Sequence, residues 1–300
     1  MKNILIKSVG AIAFSFLGLL SYPNNVAAEL AIDRIQRTGI LRAGTNQDAA
    51  PFSFLDENGQ FQGYSVEMLH LIRAQLEQEL ERPIQLELVS VSTDERIPKI
   101  LTGAVDIICD ASSYTWEREK VIDFSLTYAQ TGTRLLLPRN SPLQNAESLA
   151  GRKIAVLAGT TNEVAIRQAH PEAKLVVVDH HYDGYNLLQR GAVDAFAADG
   201  ILIDNWLQEN NRILEFQAAE YFSKEGIACM LPENNSGLAD ITNYTLFRFI
   251  QHYLEGQEPA VTTFEKWFGD ESIAPLTQDL RSLVLEKMEL VIDLREAIFE

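Results

Sequence analysis

The side chains best placed to do chemistry lie in one stretch, Val105 to Leu137, which reads VDIICDASSYTWEREKVIDFSLTYAQTGTRLLL. It opens as a buried strand, Val105–Cys109. A polar loop ending in Ser112, Ser113 and Tyr114 follows, and Arg118 comes about one turn into a short charged helix. Hydroxyls, helix N–H groups and a guanidinium delivered to one spot by a buried strand describe a carboxylate site. The plainer alternatives are a surface pair of Arg118 with Glu117 or Glu119, and a capping role for Ser113.

Other stretches hold further candidates. Thr160-Thr161-Asn162-Glu163 follows Gly159 and fits a capping box. Exposed N–H groups at such a helix start favour an anion, so Thr160 is assigned the cap and Thr161 a ligand. Asp199 ends the strand Ala195–Ala198, as the N-cap of Gly200–Glu209 or as a carboxylate facing a cleft. Arg96 could pair on the surface with Asp94 or Glu95. His181 reads as an exposed loop histidine, with His180 competing for its register.

The elements that position these residues alternate between strand and helix. Leu30–Arg37 has a helix pattern, ended by Thr38-Gly39, and Ile40–Gly44 is the first strand. Tyr64–Glu81 is helical until Pro83, Ile84–Val91 alternates with period two, and Ser92-Thr93-Asp94-Glu95 is a capping box opening Asp94–Leu101. With Val105–Cys109 this is the βαβ pattern of a parallel sheet. Pro138 to Pro142 break the rhythm, which then restarts. Lys153–Leu157, Leu175–Val178 and Ala195–Ala198 are strands; Thr160–His170, Tyr185–Arg190 and Ile201–Glu209 are helices. Gly226–Leu231 is a later strand, Thr245–Glu255 a helix, and Leu276–Phe299 a long amphipathic helix. Two such units joined by Phe124–Leu137 and Phe222–Leu231 make two lobes, with a ligand between them at the strand ends.

The N-terminus reads as a targeting signal. Lys2 and Lys7 precede the apolar run Val9–Leu20, too short to span a bilayer comfortably, and Val26-Ala27-Ala28 places cleavage after Ala28. Residues 1–28 are thus a signal peptide, and the mature chain is expected in the periplasm without membrane insertion. Beyond the cut stand 23 basic and 42 acidic residues, a formal charge of 23 − 42 = −19. Such a chain repels nucleic acid and anionic membranes. The two cysteines, Cys109 and Cys229, form no C-x-x-C motif and could pair in an oxidising compartment.

The chain resembles the periplasmic amino-acid-binding proteins of ABC importers, the family-3 extracellular solute-binding proteins. The likeness runs from Gly39 to about Gly269. It is carried by Gly39-Ile-Leu-Arg-Ala-Gly-Thr45, Pro51-Phe-Ser-Phe54, Gly63-Tyr-Ser65, Arg96-Ile-Pro98, Gly103-Ala-Val-Asp106 and Asp123-Phe-Ser125. Leu149-Ala-Gly151, Gly159-Thr-Thr161, Gly191-Ala-Val-Asp-Ala195 and Lys266-Trp-Phe-Gly269 continue it. Arg96-Ile-Pro98, Cys109, His181 and Gly226-Ile-Ala-Cys229-Met-Leu231 make it most similar to the glutamate/aspartate-binding branch.

The resemblance implies an α/β, two-lobed periplasmic-binding-protein fold of type II. Lobe 1 would comprise residues 29–128 and 226–300, and lobe 2 residues 129–225. It implies an amino-acid ligand, an inner-membrane ABC permease as partner, a monomer, no catalysis, and neither metal nor organic cofactor. By the same resemblance Arg118 and Ser113 hold the α-carboxylate. The Ala111 carbonyl and Asp199 face the α-ammonium, and Arg96, Thr93 and His181 lie near the ligand's side chain. Two departures bear on that side chain. Asn46 stands where the acidic branch has an arginine, and Ala49 replaces the aromatic on which neutral and basic ligands stack. Cys109 and Cys229, on strands expected side by side, are predicted to form a disulfide. A binder of a neutral polar amino acid is an alternative. So is an enzyme resembling the cyclohexadienyl dehydratases, with Glu95 or His181 as general acid.

Overall fold

The structure, a computed structural model, describes residues 29–145 and 149–296; the expected signal peptide, residues 1–28, lies outside them. The first lobe opens with α1 (Ala31–Thr38) and β1 (Ile40–Thr45). A small hairpin sheet follows, made of β2 (Asp48–Ala49), β3 (Ser53–Leu55) and β4 (Phe61–Gln62). Then come α2 (Tyr64–Glu79), β5 (Gln85–Ser90), α3 (Arg96–Leu101), β6 (Ile107–Ile108), α4 (Trp116–Glu119) and β7 (Asp123–Thr131). The second lobe runs through β8 (Thr133–Pro138), β9 (Lys153–Leu157), α5 (Thr161–Ala169), β10 (Lys174–Val178), α6 (His181–Gln189), β11 (Ala195–Asp199), α7 (Gly200–Glu209) and β12 (Phe216–Ala218). The chain returns on β13 (Glu225–Leu231) and ends with α8 (Ser236–Leu254), α9 (Ala260–Phe268) and α10 (Gln278–Glu296).

Each lobe holds a five-stranded sheet, ordered β5-β1-β6-β13-β7 in the first and β10-β9-β11-β8-β12 in the second. In both, three parallel strands from βαβ units are extended by antiparallel strands from the crossover. The crossings lie side by side: Glu225 pairs with Thr131, and the chain changes sheets at Gly132. A Cβ on Gly132 would lie 2.0 Å from the Ser223 carbonyl oxygen, so only glycine lets the two crossings approach this closely.

The larger core of the first lobe gathers on one sheet face, and a smaller one of Val91, Ile100, Val105, Ile108, Ile122 and Met230 covers the other. Tyr64, Met68, Leu69, Ile72 and Leu76 recur at helical spacing on α2 and are fully buried. The Tyr64 ring meets those of Tyr128, Phe249, Phe264 and Phe268. On α10, Leu280, Val284, Met288 and Ile292 fall every four residues and pack into the same cluster. The second lobe has a core on each face of its sheet.

Several elements differ from the sequence expectation. The strand expected over Val105–Cys109 is regular only at Ile107–Ile108, because the chain then turns toward the cleft. The helix expected from Asp94 begins at Arg96. Glu95 accepts the Ser92 N–H at 3.2 Å, but the residues between form a turn. The helix expected at Tyr185–Arg190 starts four residues earlier, at His181. Gly184 obscured its first turn in the sequence, yet a Cβ there would lie 2.4 Å from the Phe196 ring, so the glycine permits the packing. The helix expected at Thr245–Glu255 extends back to Ser236, with Thr242 buried on its inner face, and α9 adds Ala260–Phe268. Cys109 and Cys229 are joined by a disulfide.

Candidate functional site

One cavity between the lobes is lined by Thr93, Arg96, Ala111, Ser113, Arg118, Thr160, Thr161, Asn162, His181 and Asp199. The structure thus brings together all nine residues singled out from sequence and adds Asn162. The cavity is nearly closed, with a volume of about 10 Å³.

From the first lobe come the Ala111–Ser113 loop, α4 and the start of α3. Thr115 caps α4 by accepting the Arg118 N–H at 3.2 Å, which leaves Ser113 free of the capping role considered for it. Arg118 Nη1 donates to the Ser113 carbonyl at 2.8 Å. Its Nη2 crosses the cleft to the Gly159 carbonyl of the second lobe at 3.1 Å. Burial, with Arg96 nearby, brings the Arg118 guanidinium down to about 10, while Asp110, Glu225 and Asp199 act the other way; it stays a cation at neutral pH.

Arg96 makes no surface pair with Asp94 or Glu95. It is 4% exposed, and its Nε lies 2.7 Å from Oδ2 of the fully buried Asp110. The N–H does not point along that line, so the pair is held by proximity and charge rather than by an aligned hydrogen bond. Asp110 in turn accepts from Ser112 Oγ. Nothing in the sequence marked Asp110 except its place in the loop, because an acidic residue there reads as solvated.

The second lobe supplies the starts of α5, α6 and α7. Thr160 caps α5 by accepting the Glu163 N–H at 3.2 Å, as expected. The Glu163 carboxylate reaches Gly159 N–H at 3.1 Å, one residue short of a reciprocal capping box. The Thr161 hydroxyl donates to Glu225 Oε2 at 2.6 Å. Glu225 also accepts from Thr133 and Ser223, so this hinge-strand carboxylate ties the α5 start to both crossings. It too escaped the sequence reading, since its partners lie 64 to 92 residues away except for Ser223.

His181, not His180, faces the cavity: its side chain is 5% exposed against 41% for its neighbour. Asp199 is 5% exposed and makes no side-chain cap to α7, and its Oδ1 has no hydrogen-bond partner. Burial first, then the Glu225 charge, push its carboxyl well above the usual range, against Arg96, Asn162 and Arg118. A buried carboxylate with an unmatched oxygen, opposite a cavity-lining arginine, complements a ligand that carries both a cation and an anion. Among the described residues no group of three or more His, Cys, Asp or Glu could hold a metal ion, and no helix is long and apolar enough to cross a membrane.

Two lobes, two crossing strands and a charged cleft with its polar groups turned inward define a capture protein. Residues 41–270 match the bacterial extracellular solute-binding proteins of family 3, and this chain belongs to that family. The family is one of solute-binding proteins, and the named relatives are transport binding proteins rather than enzymes. It is 27% identical to a glutamate/aspartate import solute-binding protein of Salmonella typhimurium, over 81% of this chain and 80% of the relative. It is 27% identical to a glutamine-binding protein of Geobacillus stearothermophilus, over 65% and 73%. Among solved structures it is similar to a mutant of the arginine-binding protein ArgBP from T. maritima, with TM-score 0.71, 26% identity and coverage of 79% of this chain and 99% of that one. It is also similar to an ancestral amino-acid-binding protein described as a precursor of cyclohexadienyl dehydratase, with TM-score 0.68, 26% identity and coverage of 80% and 99%.

Proposed function

We propose that this chain captures an amino acid in the interlobe cleft and passes it to an ABC permease of the inner membrane. The carrying observation is that Arg118 and the buried Asp199 carboxyl, with its unmatched Oδ1, line one cavity. The guanidinium suits an α-carboxylate, helped by Ser113 and the α5 start at Thr160 and Thr161. Asp199 and the Ala111 carbonyl suit the α-ammonium. The protein works as a periplasmic monomer after loss of its signal peptide, and closing on the ligand creates the form that the permease engages.

The side-chain end of the cavity holds Arg96, Thr93 and His181. The Arg96 guanidinium, joined by His181 when protonated, favours glutamate or aspartate, in line with the names of several relatives. A second reading is favoured by Asp110 beside Arg96 and Asp48 beside His181, because these carboxylates offset the Arg96 charge and that of a protonated His181. On that reading a neutral amide such as glutamine binds as well or better. Calorimetric titration with glutamate, aspartate, glutamine, cystine and arginine tests both. Binding of none of them would end the amino-acid reading, and a clear excess for glutamine would replace the acidic assignment.

A further inference from the structure

The hairpin sheet β2–β4 brings the first lobe to the edge of α6 in the second. Asn46 Oδ1 accepts the Asp48 N–H at 2.9 Å and fixes the turn from which Asp48 projects. Asp48 then reaches across the lobes. Its Oδ2 accepts the His181 backbone N–H at 2.9 Å, and its Oδ1 lies 3.3 Å from His181 Nδ1. His180 Nδ1 is 3.8 Å from Oδ2. His181 is the first residue of α6, and His180 at the N-cap contributes no side-chain bond. The first N–H groups of a helix have no acceptor within it and carry the positive end of its dipole. The carboxylate that satisfies this helix start therefore comes from the opposite lobe.

Asp48 does not line the ligand cavity. It lines a separate space of about 380 Å³ with Ala50, Tyr182, Tyr185 and Trp206. The contact nevertheless fixes His181, which does line the ligand cavity. Rotating the lobes apart would break all three Asp48 contacts at once, so they favour the closed arrangement over an open one. Burial alone would raise the Asp48 carboxyl, but the hydrogen bonds and charge of His181, with His180, hold it below the usual range.

We infer that Asp48 is a latch: a positioning residue that holds α6 and His181 against the first lobe and so sets how long a ligand stays, without touching it. This rests on the capture reading above. The expected signature is an equal penalty for ligands of the same side-chain charge, since they benefit equally from closure and feel any change at His181 alike.

The test compares wild type with Asp48→Ala and Asp48→Asn by stopped-flow dissociation and small-angle scattering, using as probes the like-charged pair that wild type binds, L-glutamate with L-aspartate or L-glutamine with L-asparagine. Asp48→Ala should raise Kd for both probes by the same factor, about tenfold, through faster release. Asp48→Asn keeps an acceptor for the His181 N–H and loses the charge, so about threefold is expected. The asparagine variant alone carries the test if the alanine variant does not fold. A Kd within twofold of wild type for both probes overturns the latch. A factor that differs severalfold between them makes Asp48 a ligand contact and also overturns it. If wild type binds neither pair, the acidic and amide assignments fail separately from the latch. Scattering then decides the latch, which requires a larger radius of gyration in the variant and is lost if that radius is unchanged.

Discussion

At the residue scale, Arg118 and Asp199 make separable predictions. Removing the guanidinium leaves a ligand carboxylate buried without its charged partner, at a cost of about 2–5 kcal/mol. Arg118→Ala should therefore weaken every amino acid by roughly thirtyfold or more, with the unfolding midpoint almost unmoved; binding within about threefold of wild type would exclude the role. Asp199 carries a pH dependence. Its folded-state pKa is raised by burial and by Glu225, so its contribution to stability is full below the unfolded value and is lost as pH rises through the folded one. A ligand ammonium favours the ionised form, so binding should release a proton, and affinity should rise with pH until Asp199 ionises on its own. Titration in two buffers of different ionisation enthalpy measures that proton, and zero release would contradict the assignment. Asp199→Asn should bind poorly yet unfold no earlier than wild type, because it removes a buried, unmatched carboxylate oxygen. Specificity turns on Arg96. If the ligand is acidic, glutamate should exceed glutamine by about 1.5–3 kcal/mol, and Arg96→Leu should erase most of that difference.

At the element scale, the loop that carries Ala111 and Ser113 is anchored from two sides. The Cys109–Cys229 disulfide fastens its start to β13, across a sequence separation of 120. Ser113 bridges to Ile227 of the same strand. A cross-link closing so long a loop is worth about 2–4 kcal/mol. Replacing both cysteines by serine should lower the denaturant midpoint accordingly, and alkylation of the unreduced wild type should label no thiol. Two labelled thiols would show that the bridge does not form. The α6 start shows how an element's boundary can decide chemistry. Read as a loop residue, His181 had no fixed direction; as the first residue of α6 it faces the cavity while His180 turns to solvent.

At the scale of the molecule, α10 lies beyond the family match, which ends at residue 270. It packs on α8 and on β7, the strand that crosses between the lobes. Val284 and Leu276 share a small apolar pocket with Ile201 at the start of α7, so this segment touches both lobes near the crossing. Leu280, Val284, Met288 and Ile292 of α10 are each worth about 1.5–3 kcal/mol when removed from water, as an upper figure. Truncation after Asp270 should therefore lower the unfolding midpoint markedly and expose surface that binds an apolar dye. An unchanged midpoint would show that α10 adds nothing to the core.

The sequence by itself determined the alternation of strands and helices, the break near Pro138 and the residues of the cleft. Those signals are local: period-two and helical spacing, caps such as Thr160, and ordered phrases such as Gly159-Thr-Thr161. Only the tertiary structure decided which charges offset which. Asp110 against Arg96, Asp48 against His181, and Glu225 against Thr161 join residues far apart in the chain or hidden in an ordinary loop. No spacing rule reports such pairs, because whether a carboxylate is solvated or buried beside a cation depends on how the two lobes pack.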